Sequence, residues 1–226
     1  MTPQHVPHGN VMLTRACRLA FAALLTGTTV HAQSTGERGN PPGGAPLSER
    51  LAPATRAVIV ALSDSLTTER LPAFALLDKA AEGVLKGADD TRVLAAVRAL
   101  AQRLRTSRQL LGADASAEEL QAAASAIFAG VPSSAITRLV NAHRARRPTV
   151  QTLSVPLGVI AELASSRVPP DVALSSVDAL LARGAVDADL RAFRAAVDRD
   201  IRQGRRPRDA ATDGVQRTLR GLDRVP

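Results

Sequence analysis

From about Ser48 onward the chain carries a recurring punctuation that dictates what it can become. Gly87-Ala-Asp89, Gly112-Ala-Asp114, Gly130-Val-Pro132, Arg147-Pro148, Arg167-Val-Pro169, Gly184-Ala-Val-Asp187 and Gly204-Arg-Arg-Pro207 each place a helix stop directly before a helix start. Glycine supplies the left-handed backbone that closes a helix. Asp or Ser then caps the next helix, or Pro opens its first turn. The breaks fall 17 to 25 residues apart, which suits helices of about three to five turns joined by short loops. Between breaks, apolar residues recur at helical spacing with no sustained period-2 alternation. The fold class this predicts is all-α, with about nine helices over residues 48–226.

Aligning alternate breaks sharpens the reading. Two residues after Gly87, Gly130 and Arg167 stand Asp89, Pro132 and Pro169; Val93, Ile136 and Ala173 follow, then Val97, Val140 and Val177. With one inserted residue, Gly204 gives Pro207, Ala211 and Val215. A spacing of four puts each pair on one helical face. The anchors lie 43, 37 and 37 residues apart, which predicts four degenerate helix-turn-helix hairpins preceded by a helix over Pro53–Thr68. They could form a solenoid-like stack or a compact helical bundle. The tetratricopeptide, ankyrin and armadillo signatures are absent. The expected core includes Phe74, Ile127, Phe128, Ile136, Ile160, Leu163, Phe193, Val197 and Ile201.

The first 32 residues read as a cleavable secretory signal. Met12–Arg18 forms a basic n-region, Leu19–Leu25 (LAFAALL) an apolar h-region, and Val30-His-Ala32 a small-residue cleavage site. Met12 is an alternative start that gives a signal of ordinary length. Cys17 precedes the h-region and follows Thr-Arg-Ala, which is the wrong context for a lipobox. Residues 33–47 (QSTGERGNPPGGAPL) are too polar and too rich in Gly and Pro to bury a core, and read as a disordered tether. Cleavage after Ala32 predicts an exported, periplasmic or extracellular, chain with no transmembrane segment.

Export also strips the chain of reactive side chains. The only Cys, both Met and three of the four His go with the signal, leaving His143, no Trp and no Tyr. Disulfides, thiolate metal sites and cysteine nucleophiles go with them, so no metal and no cofactor is expected. Asp187-Ala-Asp189 lacks the glycine turn and closing Glu of a calcium loop and reads as a cap. No G-x-S-x-G elbow, S-x-x-K or phosphate-cradling loop is present, and no catalytic residue is assigned. His143, at a predicted helix C-terminus, reads as a solvated residue favouring the helix dipole. Glu82–Lys86, Asp187–Arg191, Asp198–Arg202 and Asp213–Arg217 are acid-before-base at i,i+4, the favourable order on a solvated face.

Two groups are candidate contact sites. Lys79, Glu82 and Lys86 share one face of a predicted helix and include both lysines of the chain, with Gly83 among them at a cost of about 1 kcal/mol against Ala. They read either as a solvated face with a close helix approach or as a ligand or partner site. Arg144, Arg146 and Arg147, and then Arg202, Arg205, Arg206 and Arg208, form two basic clusters in a chain of net charge +8, or +6 without the signal. Arginine forks bind polyanions, but the poverty of stacking aromatics argues against nucleic acid.

The leading functional reading is a non-enzymatic interaction or scaffold module of the cell envelope, with an envelope protein as partner. A second is a binder of anionic envelope polymers through the Arg clusters. A third is an enzyme using carboxylate and lysine chemistry near Glu82.

Overall fold

The left-handed turn recurs with one geometry. A computed structural model describes residues 50–146 and 152–223; the expected signal, the expected tether and the Arg147-Pro148 break lie outside them. Nine helices occupy the described residues: α1 Pro53–Thr68, α2 Phe74–Leu85, α3 Asp90–Leu111, α4 Ala117–Phe128, α5 Ser133–Ala145, α6 Ser154–Ser165, α7 Pro170–Ala182, α8 Asp187–Arg202 and α9 Pro207–Leu222. Seven of them end on a residue with positive φ; α3 ends on Gly112 with an extended ψ, and the other six close alike, on Arg70 (55°), Gly87 (72°), Gly130 (90°), Arg167 (67°), Gly184 (80°) and Gly204 (92°). At each, the next residue's N–H donates to a carbonyl five positions back: Leu71 to Leu66, Ala88 to Gly83, Val131 to Ala126, Val168 to Leu163, Ala185 to Leu180 and Arg205 to Asp200. The bond satisfies a carbonyl that the helix end would otherwise leave open. It also turns the following side chain inward: Leu71, Val131, Val168 and Ala185 are all buried.

Helix starts follow the sequence too. Asp89 accepts from the Arg92 N–H at 2.8 Å, and Pro53, Pro170 and Pro207 open α1, α7 and α9. Ser116 and Glu119 form the capping box of α4. Glu119 does more than its motif requires. One carboxylate oxygen accepts from the Ser116 N–H at 2.9 Å and the other from the Leu153 N–H at 2.8 Å, so one side chain caps α4 and the entry to α6.

All eight residues of the aligned stripe are buried: Val93, Val97, Ile136, Val140, Ala173, Val177, Ala211 and Val215. The extensive interfaces join helices one or two apart in the chain. α4 packs on α6 and α3, α6 on α7 and α8, α9 on α7 and α8, α3 on α1, α2 and α5, and α1 on α2. All nine helices belong to one unit, residues 44–226. The predicted hairpin of α4 with α5 is looser than the others, although the Gly130 turn between them closes as expected. The cause lies in α4, where Ala123, Ala124 and Ala126 are all buried; small side chains let its backbone run close to α3 and α6.

The expected core holds at Ile136, Ile160, Leu163, Phe193 and Val197, and Ile127 and Ile201 pack at its edge. Phe74 and Phe128 are exposed instead, at 54% and 73%. The inward face of α2 is taken by Ala75, Leu76, Ala80 and Val84, which leaves Phe74 on the opposite side. Phe128 is the last residue of α4, beyond its buried alanines.

The turn geometry sets opposite outcomes for two substitutions. A Cβ at Gly130 would meet nothing within 4 Å, so Gly130→Ala should destabilise by the backbone cost alone, about 1–2 kcal/mol. Arg167→Gly relieves the same cost, partly offset by chain entropy, and should leave stability unchanged or raise it by up to about 1 kcal/mol. Chemical denaturation of both variants checks the pair.

Candidate functional site

The lysines of α2 are engaged by one carboxylate. Lys79 Nζ donates to Glu82 Oε2 at 2.8 Å and Lys86 Nζ donates to Glu82 Oε1. Helical spacing of three and four brings both ammonium groups onto it. The Lys79 bond first, and the Lys86 bond second, hold the Glu82 pKa below the usual carboxylate range. Glu82 therefore stays ionised, which suits neither a general acid nor a strong base. Gly83 faces the neighbouring helix: a Cβ there would stand 2.9 Å from Val93 Cγ2 of α3, so its missing side chain lets α2 and α3 close together.

Lys79 and Glu82 border an open cavity of about 270 Å³ between α2, α3 and α4. Asp78 joins them from α2, Leu100 and Arg103 line it from α3, and Gln121, Ser125 and Phe128 from α4. The Arg103 guanidinium carbon lies 4.8 Å from the centroid of the Phe128 ring, within cation–π range. Arg103 Nε is buried without a hydrogen-bond acceptor. Burial holds the Arg103 pKa below its ordinary value. The sequence reading missed Arg103, Asp78 and Phe128 as site residues. One signal for Arg103 was available: Leu100, Arg103 and Ser107 are spaced three and four apart, along the border of the buried stripe of α3.

The arginine clusters are largely engaged within the fold. Arg144 donates to the Leu111 carbonyl at 2.6 Å, covering the end of α3. Arg146 pairs with Asp178 of α7 at 2.9 Å, and Arg147 lies outside the described residues. Arg205 bridges Asp200 and Asp213, and Arg208 reaches Asp171 of α7 at 4.0 Å. Arg202 and Arg206 are exposed. Of the four expected i,i+4 pairs, Glu82–Lys86 forms and Asp187–Arg191 forms at 3.9 Å. The others exchange partners. Asp198 takes Arg194 at 3.2 Å and Ser166 at 3.1 Å, while Arg217 takes Asp200 at 2.6 Å. Packed helices offer partners that a single helical wheel does not contain.

His143 is half-buried rather than solvated. Burial, and secondarily Arg146 and Arg144, push its pKa down against an opposing pull from Glu119. Among the described residues no group of three or more His, Cys, Asp or Glu could hold a metal ion, and no helix is long and apolar enough to cross a membrane.

The Glu82 geometry carries a pH signature. Because folding lowers its pKa, its contribution to stability is present above the unfolded value, about 4.3, and is lost as pH falls through the lower folded value. Glu82→Gln should be less stable than the parent at pH 7, with the gap closing below about pH 4. Thermal melts of the two proteins across that window check this. Comparison with known proteins finds no matching family model, no similar curated protein and no similar solved structure.

Proposed function

We propose that the protein is an exported, non-enzymatic interaction module of the cell envelope, built on a degenerate helical-hairpin repeat. The observation that carries the reading is an apolar stripe on the outer face of α2. Phe74, Leu77 and Leu85 lie within one face of the helix, and all three are more than half exposed. Val60 of α1, also more than half exposed, borders the same surface across a groove it shares with Leu77. Large side chains gathered on one face are the mark of a surface that another chain covers.

Other observations support the same reading. The n-region, h-region and Val30-His-Ala32 site of the sequence favour export. The six matching helix closures favour a repeat ancestry for the hairpins. Glu82, held ionised between two lysines, gives little support to acid–base catalysis. The intramolecular partners of Arg144, Arg146, Arg205 and Arg208 favour a protein partner over an anionic polymer.

The test is an affinity pull-down from envelope extract at low and high salt, comparing the mature chain with a Phe74→Ser/Leu77→Glu double variant. Both replaced side chains are exposed, so the variant should melt like the parent. The reading expects a partner retained at both salt concentrations and lost with the variant. Retention that disappears with salt, or that the variant leaves intact, overturns it.

A further inference from the structure

Arg103 differs from the other half-buried arginines of this chain. Arg105 forks onto Glu69, with contacts of 2.8 and 2.6 Å. Arg108 donates to the Arg70 carbonyl at 2.6 Å, and Arg146 has Asp178. Arg103 has no carboxylate or carbonyl acceptor among the described residues; its Nε, like that of Arg108, is buried without an acceptor, and its guanidinium stacks against Phe128. Only Nε is buried in this way; the terminal nitrogens keep accessible surface and can take an anion. The same cavity that it borders provides the place for one.

The other charges of that cavity narrow the ligand. Lys79 and Glu82 neutralise each other. Asp78 borders the cavity with no hydrogen bond or ion pair to any described residue. Two opposite charges, Arg103 and Asp78, therefore remain for a ligand. The unpaired Asp78 disfavours a bare anion, whereas a ligand carrying both signs complements the site. Ala75, Leu100, Ala124 and Phe128 supply an apolar wall. The volume, about 270 Å³, equals that of about nine water molecules, and lies below the usual range of drug-sized pockets.

We infer that this cavity binds a small apolar zwitterion, an α-amino acid with an aliphatic side chain, its carboxylate on Arg103 and its ammonium on Asp78. The guanidinium fork takes the carboxylate, and the aliphatic group lies against Leu100 and the Phe128 ring. The inference goes beyond the docking surface proposed above, and Phe74 and Leu77 are not part of the cavity lining. The two can therefore fail separately.

Isothermal titration of the mature protein with L-leucine, 4-methylpentanoate and 3-methylbutylamine tests it. Leucine should give saturable binding, with each one-charge analogue roughly tenfold weaker or more, the loss of one charge-assisted contact. Arg103→Met should abolish leucine binding, and Asp78→Asn should reduce it to the level of 4-methylpentanoate. Arg103→Lys keeps the charge without the fork and should also weaken binding; it stands in if the Met variant does not fold. Absence of saturable binding by leucine, isoleucine and valine overturns the inference. So does leucine binding by a folded Arg103 variant as tight as that of the parent, or 4-methylpentanoate binding as tight as that of leucine.

Discussion

The six left-handed helix closures hold this fold together. Each satisfies a helix-end carbonyl, reverses the chain and delivers the next side chain to the interior in one local event. Leu71, Val131, Val168 and Ala185 reach the core this way, where three of them sit against the carbonyl-bearing residues Leu66, Leu163 and Leu180 of the same kind of turn, themselves fully buried. Because the turn fixes where one helix ends and the next begins, it also fixes which face of each helix looks inward. The buried stripe of α3, α5, α7 and α9 follows from that register. Among the described residues an interior of alanine, valine, leucine and isoleucine with Phe193 is enough, because fully burying such side chains contributes roughly 1.5–3 kcal/mol for each of the larger ones.

The arginines are a second layer of the same construction. Those at helix ends cover open carbonyls: Arg108 takes the Arg70 carbonyl in the turn after α1, and Arg144 the Leu111 carbonyl at the end of α3. Others link helices distant in sequence: Arg105 joins α3 to the end of α1, and Arg146 joins α5 to α7. Exposed arginines such as Arg98, Arg138 and Arg199 stay in water, while the half-buried ones are mostly tied into the fold. Among the half-buried arginines Arg103 is the exception, beside a cavity whose Lys79 and Glu82 pair with each other.

Much of the fold was legible in the sequence because its determinants are local. The start and end of α1, the closures at Gly87, Gly130, Arg167 and Gly204, and the buried stripe all depend on residues within a few positions of each other. Contacts across the fold were not legible. Phe74 and Phe128 have the composition of core residues, but which face a helix buries is decided by the helices packed on it. Arg217 found Asp200 of α8, and Asp198 added Ser166 at the end of α6 to Arg194 of its own helix, for the same reason; Glu119 exceeded its capping box because α6 begins beside it. The candidate site was half visible. The charged face of α2 could be read from spacing, whereas Arg103 and Phe128 meet only once α3 and α4 are packed together.

The exposed apolar face of α2 and the cavity beside it depend on this scaffold holding α1 to α4 in register. The most direct measurement is amide hydrogen exchange at the residues that follow the left-handed positions. The account predicts that the N–H groups of Leu71, Val131, Val168 and Ala185 exchange as slowly as those in the buried centres of the helices, opening only with global unfolding. Exchange at those four amides at the rate of exposed loops would contradict it.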